Sequence, residues 1–339
     1  KGGFAFLRFL EYNQTVIICV QEAYFIFSLY TGDKRQGIIL FIYGGLIKME
    51  ARKRRSGDRR DGYWLRDLDA MHGFTPYLFP NRADNEAFIE EEIDLTNLNA
   101  FLEKKNQQDP EFKYTFFHAI LAAFVKTVTL RPRMNRFVQG NRMYMRNCLT
   151  ASFVIKKQFN DESHESLAFL YFDPEDTIDD VHQKLYKEIY TYRGTNATDN
   201  STDGMDMLLK FPRWMLRIII KILHRLDYYG RVPLSLVKTD PNYATIFISN
   251  LGSIKLNAAY HHLNNWGTNS LFATIGEKRL APVYDAEGNV EMHEMLKLGI
   301  TLDERIADGY YYSKSIRLLK HLLQNPELLE LPANQEVAY

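Results

Sequence analysis

Residues Ile300–Lys314 read ITLDERIADGYYYSK, and how this stretch is read decides the fold. The run Leu296–Leu302 (LKLGITL) is β-like and passes directly into Asp303, Glu304, Arg305, Asp308 and Gly309. A helical pattern then runs from Tyr310 to Gln324 and is stopped by Asn325-Pro326. A strand end that crowds acidic groups ahead of a helix is either a place for chemistry or a turn. In the second case Asp308 caps the helix and Gly309 allows the bend. By spacing alone, the turn is the better reading.

Working outward, Phe88–Asp94 (FIEEEID) reads as a strand and Leu95–Lys105 as a helix with Leu95, Leu98 and Leu102 on one face. Thr115–Leu130 is helical and apolar almost all round, which predicts burial, and Arg131-Pro132 ends it. Val138–Tyr144 holds a Gln-Gly-Asn turn between short extended pieces. Leu149–Phe159 and Ser166–Phe172 read as strands joined by the polar loop Asn160–Glu165, and Asp176–Tyr192 as a helix with acidic residues near its N-terminus.

Gly194–Gly204 is a polar loop carrying two N-x-T sequons. Phe211–Tyr229 is a very apolar helix with one basic stripe, Arg213, Arg217, Lys221 and His224/Arg225. That pattern predicts a buried helix with one solvated edge; attachment to a membrane surface is the alternative. Tyr243–Ser249 and Ser270–Ile275 read as further strands, and Asp285–Asn289 marks a hairpin turn. The order of elements, without a Gly-rich phosphate loop, predicts a layered α/β domain rather than a dinucleotide-binding fold.

Composition narrows the function. The 339 residues are 46% hydrophobic and 25% charged, with 42 basic against 42 acidic side chains, which gives no electrostatic case for nucleic acid. Cys19 and Cys148 fit no metal-ligand spacing, so two reduced thiols in a cytoplasmic protein are expected, and no metal. Residues 1–48 differ in character. Their apolar stretches are shorter than the ~20 residues a spanning helix needs. They read as an upstream extension or leader, with the protein beginning at Met49 and Arg52–Arg60 a solvated N-terminal arm. The expected division is 1–48 extension, 49–87 arm, 88–332 catalytic-type domain and 333–339 tail.

The second strand end is TIFISNLGSI, Thr245–Ile254. Together with ITLDERIADGYYYSKSIRLLKHLLQNPELLEL (Ile300–Leu331) it closely resembles the catalytic domain of the dihydrolipoamide acyltransferases of 2-oxo acid dehydrogenase complexes. The likeness runs from roughly Phe88 to Pro332. The resemblance implies the chloramphenicol acetyltransferase-like fold, an α/β (α+β layered) sandwich with a mixed β-sheet covered by helices. It also implies acyl transfer between coenzyme A and an acceptor thiol, in a homotrimer whose sites lie between subunits. In that family a histidine takes the thiol proton, an aspartate orders the site, and a serine or threonine hydroxyl stabilises the oxyanion. The aspartate matches Asp308 and the hydroxyl matches Ser249, with Asn250 and Gly252 bordering the substrate channel.

The histidine's place is taken by Glu304. A carboxylate of ordinary pKa ~4.3 is a poor base for a thiol of ~8.5 unless burial raises it, and Arg305 would oppose that if it faced the same way. His261 or His262 is the nearest substitute base, and on a strand only one of the pair would face the channel. Without a lipoyl domain, subunit-binding domain or Ala/Pro-rich linker, no lipoyl group is expected on this chain. The alternative to an acyl-CoA enzyme is an inactive binding or scaffold member, joining other acyltransferase subunits.

Overall fold

FIEEEID and LKLGITL prove to be two halves of one antiparallel pair. The computed structural model describes residues 9–12, 15–20, 23–28, 54–156, 165–194, 209–238 and 240–339. It divides into two units, residues 1–55 and 56–339. In the first, β1 (Phe9–Tyr12), β2 (Thr15–Val20) and β3 (Ala23–Ser28) form an antiparallel meander. The loops expected at Asn160–Glu165 and Gly194–Gly204 fall almost wholly outside the described residues, as does most of the 1–48 extension.

In the second unit the chain order is β4 (Gly62–Trp64), α1 (Ala70–Leu78), β5 (Glu86–Asp94), α2 (Thr96–Asn106), α3 (Phe116–Leu130), β6 (Arg136–Gln139) and β7 (Arg142–Arg146). There follow β8 (Leu149–Lys156), β9 (Glu165–Phe172), α4 (Ile178–Gly194), α5 (Arg213–Tyr228), β10 (Ile246–Asn250), β11 (Leu271–Ile275), β12 (Arg279–Tyr284), β13 (Val290–Asp303) and α6 (Gly309–Gln324). Seven strands make one mixed sheet, β12-β13-β11-β10-β8-β9, with β5 also on β13; β10 runs parallel to both β8 and β11. A small sheet holds β4-β7-β6.

The C-terminal half of β13 lies between β5 and β11, so alternate residues of LKLGITL face the helices and the opposite surface. Leu296, Leu298, Ile300 and Leu302 join Ile246, Ile248, Leu271 and Ala273 in a fully buried core with α3 and α6. The burial expected of Thr115–Leu130 is found from His118 to Val128. Lys126 is accommodated there because its ammonium donates to the carbonyls of Leu331 and Pro332, at 3.2 and 2.6 Å.

Three expectations are corrected. The basic run read as a solvated arm is exposed at residues 54–57 and Arg60 but turns inward between them: Asp58 and Arg59 are buried, and Arg59 pairs with Asp61 and Asp227 at 2.8 and 3.0 Å. Nor is 49–87 only an arm, since it supplies β4, α1 and the buried Arg82. Helix α5, expected to be buried, is exposed or partly exposed except at Asp227. Overall apolarity does not decide burial there: Met215, Leu216, Ile219, Leu223 and Leu226 are only partly covered, and the last turn is held by a network around Asp227. Asp227 accepts from Arg59, from the Tyr243 hydroxyl at 2.9 Å and from the Gln139 amide at 2.5 Å.

The start of α3 carries a pH-sensitive element. The backbone N–H of Thr115 donates to His118 Nδ1 at 3.0 Å, so the ring serves as a cap only when that nitrogen is unprotonated. Burial, with His182 nearby, pushes the imidazole down to about 3. A depressed folded-state pKa contributes stability that is present above the unfolded value of ~6.5 and is lost as pH falls toward 3. Urea melts are expected to show stability falling by up to ~1.4 kcal/mol per pH unit across that window, a slope flattened in His118→Gln.

Candidate active site

Ile246 and Ile248 point into the core, so Phe247 and Ser249 share the opposite face of β10. Across the ladders Phe247 stands opposite Phe272, Ser249 opposite Thr274, and Thr274 opposite Gly299. Phe247 and Phe272 stack at 4.8 Å between ring centres, and His261 lies nearly parallel over Phe272 at 4.2 Å. His261 is therefore on the Ser249 face. By strand spacing, the Cα of Phe272 is roughly 8 Å from that of Ser249.

His261 belongs to an irregular strap, residues 256–263, that crosses this face. Thr274 holds it: the hydroxyl donates to the Ala259 carbonyl and accepts from the Ala259 N–H at 3.2 Å. The close approach requires glycine beneath. A Cβ on Gly276 would strike the Ala258 nitrogen, and one on Gly299 the Ala259 carbonyl oxygen. Gly252 is small for the same kind of reason, since its Cβ would come within 2.5 Å of the Gly276 carbonyl oxygen.

Asn250 is occupied locally: its Oδ1 accepts from the Ser253 N–H at 3.3 Å, while the Ser253 hydroxyl donates to the Asn250 carbonyl at 2.7 Å. Ser249 differs. It is half-buried, and its hydroxyl makes no hydrogen bond among the described residues.

The two histidines do not splay apart as they would on a strand. Because the strap is irregular, both are exposed and their rings stack at 4.8 Å. His261 Nδ1 lies 2.8 Å from the His262 carbonyl, which can only accept. That partner assigns the proton to Nδ1 and leaves the lone pair of the neutral ring on Nε2.

Glu304 lies elsewhere. β13 runs antiparallel to β11, so its C-terminal end meets the beginnings of β10 and β11; Leu302 is opposite Leu271, and Asp303 donates its N–H to the Ser270 carbonyl. Ser249 is level with Gly299, five residues back along β13. That places Glu304 roughly 20 Å from Ser249. The two strand ends therefore do not face each other across a cleft within one subunit. Glu304 is exposed, and its carboxylate makes no hydrogen bond or ion pair among the described residues.

Arg305 turns the other way. It is buried, and its guanidinium grips Asp303 through Nε at 2.8 Å and Nη2 at 2.7 Å, while Nη1 donates to the Phe79 and Pro80 carbonyls. Arg82 approaches the same carboxylate at 3.7 Å. This buried pair supports the turn, and its second cation, Arg82, is missing from the residues singled out in the sequence. Asp308 caps α6 as expected, accepting the Tyr311 N–H at 2.8 Å, and that bond holds its carboxyl below the usual range. Its ion pair with Arg133, at 3.5 Å, is half-exposed rather than buried. No cluster of His, Cys, Asp or Glu among the described residues could hold a metal ion.

Residues 235–331 match the family described as 2-oxoacid dehydrogenases acyltransferase (catalytic domain), a span that contains both motifs. No curated protein matches the chain. Among solved structures, it is similar to a probable dihydrolipoamide acetyltransferase from Listeria monocytogenes 4b F2365, with TM-score 0.51 and 13% identity over 75% of this chain and 88% of that one. A dihydrolipoamide acetyltransferase from Azotobacter vinelandii gives 0.49 and 15% over 77% and 89%, and a chloramphenicol acetyltransferase 0.47 and 11% over 77% and 99%. The resemblance read from the two motifs is met by the family match over residues 235–331, and the mixed sheet covered by helices is the architecture it implied.

Proposed function

We propose that the protein transfers an acyl group between coenzyme A and a nucleophilic acceptor, with Ser249 and His261 at the reacting centre. The observation that carries this reading is a free hydroxyl and an available imidazole lone pair on one sheet face. Ser249 is the last residue but one of β10, within the matched family segment. His261 is held over Phe272 by a strap that two glycines and Thr274 fix in place.

In the step this arrangement supports, His261 Nε2 takes the acceptor proton as the nucleophile attacks the thioester carbonyl. The Ser249 hydroxyl donates to the oxygen as it becomes negative. Collapse of the tetrahedral adduct breaks the carbon–sulfur bond and releases the coenzyme A thiolate, which the imidazolium reprotonates.

Glu304, far from Ser249 in its own subunit, would reach that face only in a neighbouring copy. A homotrimer with sites between subunits accommodates this, as the family resemblance implies, and coenzyme A is the expected substrate there. Glu304 gains no burial from its own subunit, so we assign it no proton transfer. A binding or scaffold role, in mixed assemblies with other acyltransferase subunits, is the second reading, favoured by the exposed carboxylate at the motif's histidine position.

Purified protein incubated with acetyl-CoA and dihydrolipoamide, and with a panel of amines, alcohols and other thiols, should release free coenzyme A. Ser249→Ala should lower the rate ~10²–10³-fold while coenzyme A binding by calorimetry persists. Absence of both binding and turnover across the panel would sink the enzymatic reading and leave the scaffold.

A further inference from the structure

Helix α5 displays a face with no use in the chemistry above. Its sequence, RWMLRIIIKILHRLDY, places Arg213, Arg217, Lys221 and Arg225 in one row at i, i+4 spacing and Trp214, Ile218 and Ile222 in the row beside it. All four cations are exposed. So is the apolar ridge, with Trp214 65%, Ile218 50% and Ile222 53% accessible. Among the described residues no strand or other helix runs along the helix, and its firm attachment is the Asp227 network in its last turn.

Such exposure is costly. Burying one isoleucine is worth ~1.5–3 kcal/mol, and contiguous exposed apolar surface of this kind marks a contact site. Charge identifies the partner. The helix has one acidic residue, Asp227, and it is turned inward, so the outward face is cationic and apolar only. Leu216 and Ile220 line, with Arg213, Arg217 and Lys221, a shallow groove of about 470 Å³. An apolar ridge flanked by a cationic row, with a tryptophan at one end, matches a surface that is anionic in one layer and hydrocarbon a few ångströms deeper.

We propose that α5 lies in the interface of an anionic membrane, with Trp214, Ile218 and Ile222 among the upper acyl carbons and the arginine–lysine row at the phosphate level. No helix among the described residues is long and apolar enough to cross a membrane, so the contact is with one surface. Each basic side chain near such a surface contributes ~1 kcal/mol, enough with the ridge for reversible attachment.

The test is flotation of the full chain with extruded phosphatidylcholine vesicles, with and without about 30% phosphatidylserine. Wild-type protein should float with the anionic vesicles, stay behind with neutral ones, and be released by ~1 M salt. Charge reversal, Arg213→Glu with Arg217→Glu and Lys221→Glu, should abolish flotation. Ile218→Ser with Ile222→Ser should weaken it ~10-fold or more without changing elution on size exclusion. Failure of the wild type to float, or flotation indifferent to charge reversal, overturns the proposal. So does a change of oligomeric state in the isoleucine variant, which would mean that a second copy covers the ridge.

Discussion

Asp303→Asn is expected to destabilise the protein by ~3–5 kcal/mol and to lower its thermal midpoint by roughly 10 °C. The carboxylate is fully buried and is the anion for two buried guanidinium groups, Arg305 in a two-point grip and Arg82 at 3.7 Å. Asparagine keeps the shape but removes the charge, and its amide N–H groups would face guanidinium N–H groups. Both arginines would then sit in the core uncompensated.

Arg82 is already strained in this sense. Burial pulls it down to about 10 even though Asp303 opposes the shift, and its Nε finds no hydrogen-bond partner. Its other nitrogens hold the Asn264, Val138 and Gly267 carbonyls, so loosening it frees the chain ahead of β5, the β6–β7 hairpin and the approach to β11 together. Removing both members of the tighter pair, Asp303→Leu with Arg305→Met, should recover part of the loss, because only Arg82 and no longer Arg305 is then left without its anion. Differential scanning calorimetry of the two variants checks this. Equal loss in both would mean that the ion pair is not what holds the turn.

This hub shows what the sequence could and could not disclose. DERIADG announced a turn with charges, and its helix cap at Asp308 was legible, because a cap is a local bond between neighbours in sequence. The strands were legible as well, since FIEEEID and LKLGITL carry their pattern within a few residues. What stayed hidden was the partner 221 positions upstream of Asp303, Arg82, which stands in a stretch with no periodic signal. The exposure of α5 was hidden for a related reason: its composition is that of a core helix, and whether another element covers it is a property of the whole fold. The placing of His261 was hidden too. It depends on a strap pressed against Gly276 and Gly299, and glycines in strands do not say what lies over them.

The assignment of the proton acceptor yields the most discriminating prediction. His261→Gln should lower acyl transfer by ~10²–10⁴, whereas Glu304→Gln should change it by less than ~3-fold. The asymmetry follows from geometry. His261 has a carbonyl holding Nδ1, so Nε2 is left with its lone pair, and it sits over the ring next in line to Thr274, the neighbour of Ser249. Glutamine keeps a side chain of similar reach that can still meet the His262 carbonyl but has no basic nitrogen. A loss confined to kcat, with coenzyme A binding and the thermal midpoint unchanged, would separate proton transfer from support of the strap.

The Glu304 carboxylate has neither a hydrogen-bonding partner among the described residues nor burial within its subunit, and it stands at the other end of the sheet from the hydroxyl. Should Glu304→Gln prove the damaging change and His261→Gln the silent one, the acceptor would be the carboxylate of an adjacent copy. The strap over Phe272 would then be structural only. Because the two residues lie at opposite ends of the same sheet, one pair of rate measurements also decides whether the reacting groups come from one chain or from two.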